Sequence, residues 1–210
     1  VCQGGGWHGK PVTGEKMEAA LEELDGLRTQ LTSTLDASDD LTIYPPSDMS
    51  PPAASIEDAP SFTEAMKQFD MASTLATGKF ATRRAFGVAL RALGHVNDNV
   101  VVLDADVKNS TFTEWFGNDP ALSDRMYECK IAEQNMVSVG AGLSAGGKIP
   151  FVATFAKFFT RAYDQIELAI NSGANLKVIG SHAGIGPASD GPSQMSLPDV
   201  AWFRSLSTAK

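Results

Sequence analysis

Short apolar runs, each trailed by a stretch of helical spacing, restrict this chain to few folds. Val100-Val101-Val102-Leu103 is the plainest. It is apolar without alternation, the pattern of a strand covered on both faces. Phe80 to Leu93 before it reads as an amphipathic helix closed by Gly94, and Asp104-Ala105-Asp106 ends the strand. A second strand is expected around Met126 to Ala132, then a helix from Gln134 to Ser144 closed by Gly146-Gly147. Ile149 to Thr154 is a third strand, Phe155 to Asn171 a long helix ending near Gly173, and Leu176 to Ile179 a fourth strand. Strands alternating with helices define an α/β domain, a parallel sheet flanked by helices.

The upstream third has another texture. Residues 1–30 hold a glycine cluster and then Leu21, Leu24 and Leu27 at helical spacing, a helical tail. Residues 31–73 lose that pattern and contain Pro45-Pro46 and Pro51-Pro52, linker composition. The α/β domain is assigned to 74–210 and is expected to be incomplete at its C-terminus. A chain opening on Val1 and three nearby glycines reads as a piece of a longer protein.

Charge and cysteine content remove several classes of function. The 210 residues carry a net charge of −8, with a pI near 4.8. Neither a nucleic-acid backbone nor an anionic membrane surface is an expected partner. No apolar run is long enough to span a bilayer. Cys2 and Cys129 stand far apart and in no metal-ligand spacing, which fits a reducing, cytoplasmic setting. Gly4-Gly5-Gly6-Trp7-His8-Gly9 spells a dinucleotide fingerprint, but no strand precedes it and no βαβ unit follows, so it is a chance match.

In open parallel sheets ligands sit beyond the carboxyl ends of the strands. The residues there are Asp104 and Asp106, Glu133, Thr154 and Phe155, and Ser181 and His182. Glu133 is the sharpest case. It lies in Ile131-Ala132-Glu133-Gln134-Asn135-Met136, at the seam of two apolar elements, with no basic residue beyond Lys130 close in sequence. A helix N-terminus favours a carboxylate by about 0.3–1 kcal/mol. A dry site raises a carboxyl pKa by up to about 3–5 pH units, so in such a site desolvation wins and the group is neutral. The alternatives are a neutral hydrogen-bond donor to a ring nitrogen and a simple capping carboxylate.

Several ordered segments carry a resemblance. "IAEQNM" followed by "PFVATFAKFFTRAYDQI" (Pro150 to Ile166) resembles the pyrimidine-binding domain of thiamine diphosphate-dependent transketolases. So do "FATRRAFGVAL" (Phe80 to Leu90), "LDADVKNSTF" (Leu103 to Phe112) and "GSHAGIGPASDGPSQMSLPDVAWFRS" (Gly180 to Ser205). "WHGKP" (Trp7 to Pro11) is similar to the tail of the family's diphosphate-binding domain. Gln194 in "DGPSQM" is similar to the animal-type branch, where the bacterial and yeast type carries His.

The resemblance implies a role for each matching residue. Glu133 matches the glutamate that bonds N1′ of the cofactor's aminopyrimidine, favouring the imino tautomer that deprotonates the thiazolium. A carboxyl group with that task is neutral and buried, in keeping with the dry site. Phe158 matches the position stacked on the pyrimidine, and Phe155 walls the pocket; taken by spacing alone, Phe155, Phe158 and Phe159 are core aromatics. Asp106 matches an acidic position near the cofactor and the dimer contact, or else is a turn carboxylate. Arg83, Ser110 and His182 match positions that hold the sugar phosphate, where a guanidinium fork and directed donors suit phosphate. Gln194 matches a position near the reacting carbons, close to both cofactor and substrate. Taken alone, Arg83 with Arg84 beside it reads as a solvated helix charge; His95 is most simply a surface residue, and His8 has no assigned task.

The resemblance also implies the reaction and its setting. The expected activity is reversible transfer of a two-carbon ketol group from a ketose phosphate to an aldose phosphate. Thiamine diphosphate and Mg²⁺ are the expected cofactors, with the magnesium ligands in the preceding domain and none in these residues. A homodimer with its active site between subunits is implied, and the piece alone is expected to be inactive. The rivals are a 1-deoxyxylulose-5-phosphate synthase-like enzyme, which shares the "IAEQ" and "RAYDQ" motifs, and a non-catalytic homologue. "ATRRAFG", "KNSTF" and "WHGKP" favour transketolase.

Overall fold

The structure, a computed structural model, describes residues 12–35 and 59–206. The "WHGKP" segment, His8 and the proline-rich part of the expected linker lie outside the described residues. The chain divides into two compact units at Ser47/Asp48. The first contributes one described helix, α1 (Glu15–Leu35), with Glu15 and Glu18 in its first turn, where carboxylates oppose the positive end of the helix dipole. It runs through Gly26 and past Leu27, where the leucine spacing had placed its end, with no proline before Leu35 to break it.

The second unit holds the α/β fold. Its helices are α2 (Phe62–Gln68), α3 (Ala72–Ala76), α4 (Thr82–Val96), α5 (Lys108–Thr111), α6 (Glu114–Gly117), α7 (Glu133–Ala145), α8 (Tyr163–Asn171) and α9 (Asp199–Ser205). Its strands are β1 (Val100–Asp104), β2 (Met126–Glu128), β3 (Ile149–Phe155) and β4 (Lys177–Ser181). They form one parallel sheet in the order β2-β1-β3-β4.

Strand β1 shows why the sequence is apolar without a break. Val101 and Leu103 face a core built with Met136 and Val137 of α7, Val152 of β3, and Phe159 and Ile166. Val100 and Val102 face a second core with Leu90 of α4, Phe116 of α6 and Leu122. A strand covered by helices on both faces has no solvent side for polar residues.

Four differences from the sequence reading have physical causes. Residues 62–68, inside the expected linker, and 72–76, across its end, are helical; a capping box between Ser61 and Glu64 starts α2, and Ala65 and Met66 are buried against Val88 and Ala92 of α4. Packing therefore begins near residue 61. Gly94 does not close α4 but lies inside it, because a Cβ there would meet the Phe116 ring at 2.4 Å. The helix ends where Arg125 donates to the carbonyls of Gly94, Asn97 and Val100, at 2.8, 2.9 and 3.1 Å. Strand β2 stops at Glu128, whose Oε1 accepts from the Lys130 N–H at 3.0 Å as the backbone turns left-handed there. Finally, Phe155 to Asn171 is not one helix. Phe155 is the last residue of β3, a 3-10 turn spans Phe158–Ala162, and the α-helix begins at Tyr163. The Ala156 N–H still donates to the Ser181 carbonyl at 2.7 Å, so the sheet ladder outlasts the apolar run.

One ion-pair cluster fastens α4 to the β1–β2 connection. Asp119 accepts from Arg91 Nε and pairs with His95 Nε2, both at 2.8 Å. Burial pushes the Asp119 carboxyl up, but bonds from Arg91 and His95 outweigh it and hold the group at about 2, below its ordinary 3.8. A depressed carboxyl stabilises the fold above its unfolded pKa, and that contribution disappears as pH falls through the folded value. Asp119→Asn is expected to cost about 1.5–3 kcal/mol at neutral pH. Thermal unfolding of the full-length protein should show variant and parent converging as pH drops from about 4 toward 2. A constant gap across that range would show that Asp119 acts by packing.

Candidate active site

The carboxyl edge of the sheet is built from the strand ends outward. Asp104 closes β1 with no exposure to solvent. Its carboxylate accepts from the Val107 N–H at 2.7 Å, Thr111 Oγ1 at 2.6 Å and Thr113 Oγ1 at 2.8 Å. Burial pushes its pKa up, those three bonds pull against the rise, and the charge of Glu128 adds to it. Glu128 closes β2 in the same way, taking the Asp106 and Lys130 N–H groups at 3.0 Å on one oxygen, with Lys108 Nζ 3.7 Å from the other. Asp106 itself is exposed at a left-handed turn (φ 62°), and its described contact is made by its backbone.

Glu133 is the first residue of α7 and only 3% exposed. Its carboxylate is not left without a basic partner, as the sequence around it had implied. Arg161, twenty-eight positions on and in the 3-10 turn after β3, donates to Glu133 Oε1. The Arg161 side chain is 53% exposed and lies over the Phe158 ring, 4.8 Å from its centroid. A planar nitrogen donor thus fits between the Phe158 ring and the Glu133 carboxylate. Phe158 in turn stacks on Phe155, with centroids 5.0 Å apart and planes 9° apart. Phe159, which spacing groups with them, points into the core instead.

The Phe155 ring also stacks on His182, at 3.9 Å and 24°. His182 follows β4 with φ 55°. Its Nδ1 lies 2.8 Å from Ser181 Oγ, and its Nε2 lies 3.1 Å from Arg83. Because arginine only donates, Nε2 accepts and the ring is held as the neutral tautomer protonated at Nδ1. Burial lowers the His182 pKa first, the Arg83 charge lowers it further, and Asp190 pulls the other way. Arg83 also donates to the Ser110 carbonyl at 3.2 Å, so Ser110 enters the cluster through its backbone. Arg83, Phe86, Thr111, Ser181, His182 and Pro187 line a cavity of about 630 Å³, within the range of about 300–1,000 Å³ for small-molecule sites.

Gln194 is the exception among the residues singled out by sequence. Its hydrogen bonds are local, to Ser193 and to the Gly191 carbonyl. Cys129 is a free thiol pushed up to about 11, by burial first and then by the charges of Glu128 and Asp104, so it is no nucleophile at neutral pH. Among the described residues no group of three His, Cys, Asp or Glu side chains is placed to hold a metal. Sequence reasoning missed Arg161, although it stands inside the "FFTRAYDQI" segment. It also gave no role to Asp104, Thr111, Phe112 and Thr113, whose only signal was a carboxylate at a strand end.

A family model described as the pyrimidine binding domain of transketolase matches residues 78–210. The chain belongs to the transketolase family. Human transketolase is 42% identical over 205 residues, 97% of this chain and 30% of the human protein. Mouse transketolase-like protein 2 is 41% identical over 95% of this chain and 29% of its own length. The chain thus spans about 30% of the curated relatives it matches. A split-gene transketolase, solved as an inactive β4 tetramer, aligns with a TM-score of 0.51 at 43% identity, over 60% of this chain and 40% of that one. Campylobacter jejuni transketolase aligns with a TM-score of 0.56 at 24% identity over 60% and 20%, a likeness of fold.

Within this transketolase domain the Arg83–His182 contact makes a measurable statement. In the full-length protein, NMR titration should place the His182 midpoint below the ordinary 6.5. Arg83→Ala removes a cation and should move the midpoint up. A midpoint indifferent to Arg83 would mean that the contact does not form in solution.

Proposed function

We propose that this chain supplies the pyrimidine side of a thiamine diphosphate site in a transketolase, with a phosphate-binding corner for its sugar substrates at the same sheet edge. One observation carries the reading: a buried carboxylate, Glu133, faces an aromatic ring, Phe158, across a gap that takes a flat nitrogen donor. An aminopyrimidine has that flat shape, and its ring nitrogen meets the carboxylate as a donor when it carries the proton the two share. Arg161, half in solvent, has an exit from the gap.

The cofactor, when bound, supplies the carbanion chemistry. Glu133 holds the proton shared with the ring nitrogen, Phe158 orients the ring, and Phe155 backs both Phe158 and His182. Arg83 presents a guanidinium to the phosphate end, and His182 a neutral imidazole beside it. The reaction we assign is reversible two-carbon ketol transfer between ketose and aldose phosphates. We place the magnesium ligands and the diphosphate site outside these residues. By analogy of assembly we expect a homodimer with the site between subunits, acting in the cytoplasm. Gln194 and Asp106 remain candidates for contacts completed by a second subunit or by substrate.

Glu133→Ala in the full-length enzyme is expected to slow hydrogen–deuterium exchange at the cofactor's C2 by several orders of magnitude, with the fold retained. Exchange at the parental rate would return Glu133 to the role of a capping carboxylate. Carbon dioxide release from pyruvate with glyceraldehyde 3-phosphate would instead favour the deoxyxylulose phosphate synthase type.

We place the metal and the helix N-termini that bind most of a diphosphate outside residues 1–210. Association itself costs an estimated 4–15 kcal/mol, which one stacked ring and one hydrogen bond do not offset. Residues 1–210 are therefore expected to bind thiamine diphosphate negligibly and to show no ketol transfer. The split-gene transketolase tetramer, named inactive, supports this expectation. A micromolar dissociation constant in calorimetric titration with cofactor and magnesium would contradict it.

A further inference from the structure

The loop between β1 and α6 contains a residue in an unexpected conformation. Phe112 is a bulky aromatic at φ 64°, the left-handed region that side chains other than glycine, asparagine and aspartate seldom occupy. Such strain persists only where the surroundings enforce it. Here they do. The neighbours on either side, Thr111 and Thr113, both donate to the buried Asp104 carboxylate, and Trp115 packs edge-on against the ring at 4.8 Å. Across the interface α4 carries Gly87, where an added Cβ would lie 2.8 Å from both Cβ and O of Phe112. Nothing larger than glycine lets the helix approach so closely.

That approach has a consequence one helical turn earlier. Positions i and i+4 share a helix face, so Arg83 stands over the same loop as Gly87. The Arg83 guanidinium carbon lies 5.3 Å from the Phe112 ring centroid, and that of Arg84 lies 5.4 Å away. Arg83 donates to the Ser110 carbonyl of the same loop. A core aromatic serving only to fill space needs neither the strained backbone nor two cations on its ring.

We propose that Phe112 is a positioning residue: held left-handed by the Asp104–Thr111–Thr113 bonds, it fixes the Arg83 guanidinium and thereby sets the preference for phosphorylated over non-phosphorylated donors. This rests on the reading of Arg83 as a phosphate ligand. An exposed arginine surrenders rotamer freedom when it binds an anion, and a platform that has already ordered it reduces that loss. Cation–π packing on Phe112 supplies such a platform without consuming the N–H donors.

The test uses the full-length enzyme with Phe112→Gly, Phe112→Leu, Phe112→Tyr and Arg83→Ala. Glycine accepts φ 64° and removes only the ring; leucine keeps apolar bulk without a π-face. For Phe112→Gly and Phe112→Leu, KM for a phosphorylated ketose should rise about tenfold, with kcat held and hydroxypyruvate kinetics unchanged. Phe112→Tyr should restore the parental value. Independently of turnover, inorganic phosphate titrated against the His182 ring resonances should need about tenfold more phosphate in the same two variants. Equal losses for both donor types, or parental kinetics in Phe112→Leu, overturn the inference. If Arg83→Ala separates the donors while Phe112→Gly does not, the positioning role alone falls. If Arg83→Ala fails to separate them, the phosphate reading falls with it.

Discussion

The carboxylate of Asp104 has no access to water, and burying a charge is costly unless donors replace the lost hydration. Three donors do so, and all three come from the loop that follows β1. The bonds therefore tie the loop's shape to the end of an interior strand. Glu128, at the end of the neighbouring strand, repeats the device with two backbone N–H groups. One consequence is visible in the backbone. Of the five non-glycine residues with positive φ among the described residues, Asp106, Phe112, Lys130 and His182 lie in connections that follow strand ends at this edge, and Asp70 lies elsewhere, after α2. The irregular backbone is concentrated at the carboxyl edge of the sheet, and the packed strands below it bear the cost.

Strand order explains why these loops meet. The chain runs from β1 outward to β2, then crosses back over β1 to β3, so the connections diverge between β1 and β3. That is the place where an open parallel sheet leaves a crevice at its carboxyl edge. The returning connection contains α7, whose first residue is Glu133, and the next contains the turn with Phe158 and Arg161. Two consecutive crossovers thus deliver an acid, an aromatic face and a cation to one spot. No local sequence rule brings those three together.

This separates what could be read in the sequence from what could not. Uniform apolar runs announced the buried strands, and Gly146 with Gly147 did mark the end of α7, where Gly147 takes φ 80°. Gly94 looked identical in sequence but serves close contact with Phe116, because periodicity cannot distinguish a stop from a packing requirement. The phenylalanines at 155, 158 and 159 carried helical spacing, yet they span a strand end and a 3-10 turn, with Phe155 and Phe158 stacked on each other and Phe159 in the core. Glu133 was found because a carboxylate between apolar elements is unusual. Its partner was not, since an arginine twenty-eight residues away meets it only after β3 has crossed the sheet.

The edge also divides its labour. Glu133, Phe158 and Arg161 form one cluster, and Arg83, Ser110 and His182 another. They belong to different connections, and hydrogen bonds within each cluster do not reach the other. What links them is the Phe155 ring, stacked on Phe158 and on His182. Phe155 thus touches both the ring beside Glu133 and the imidazole that accepts from Arg83. As the last residue of β3, in register with Ser181, Phe155 has little freedom to yield by moving its backbone. Among the described residues the two clusters therefore meet through packing on the sheet itself, and no hydrogen bond joins them.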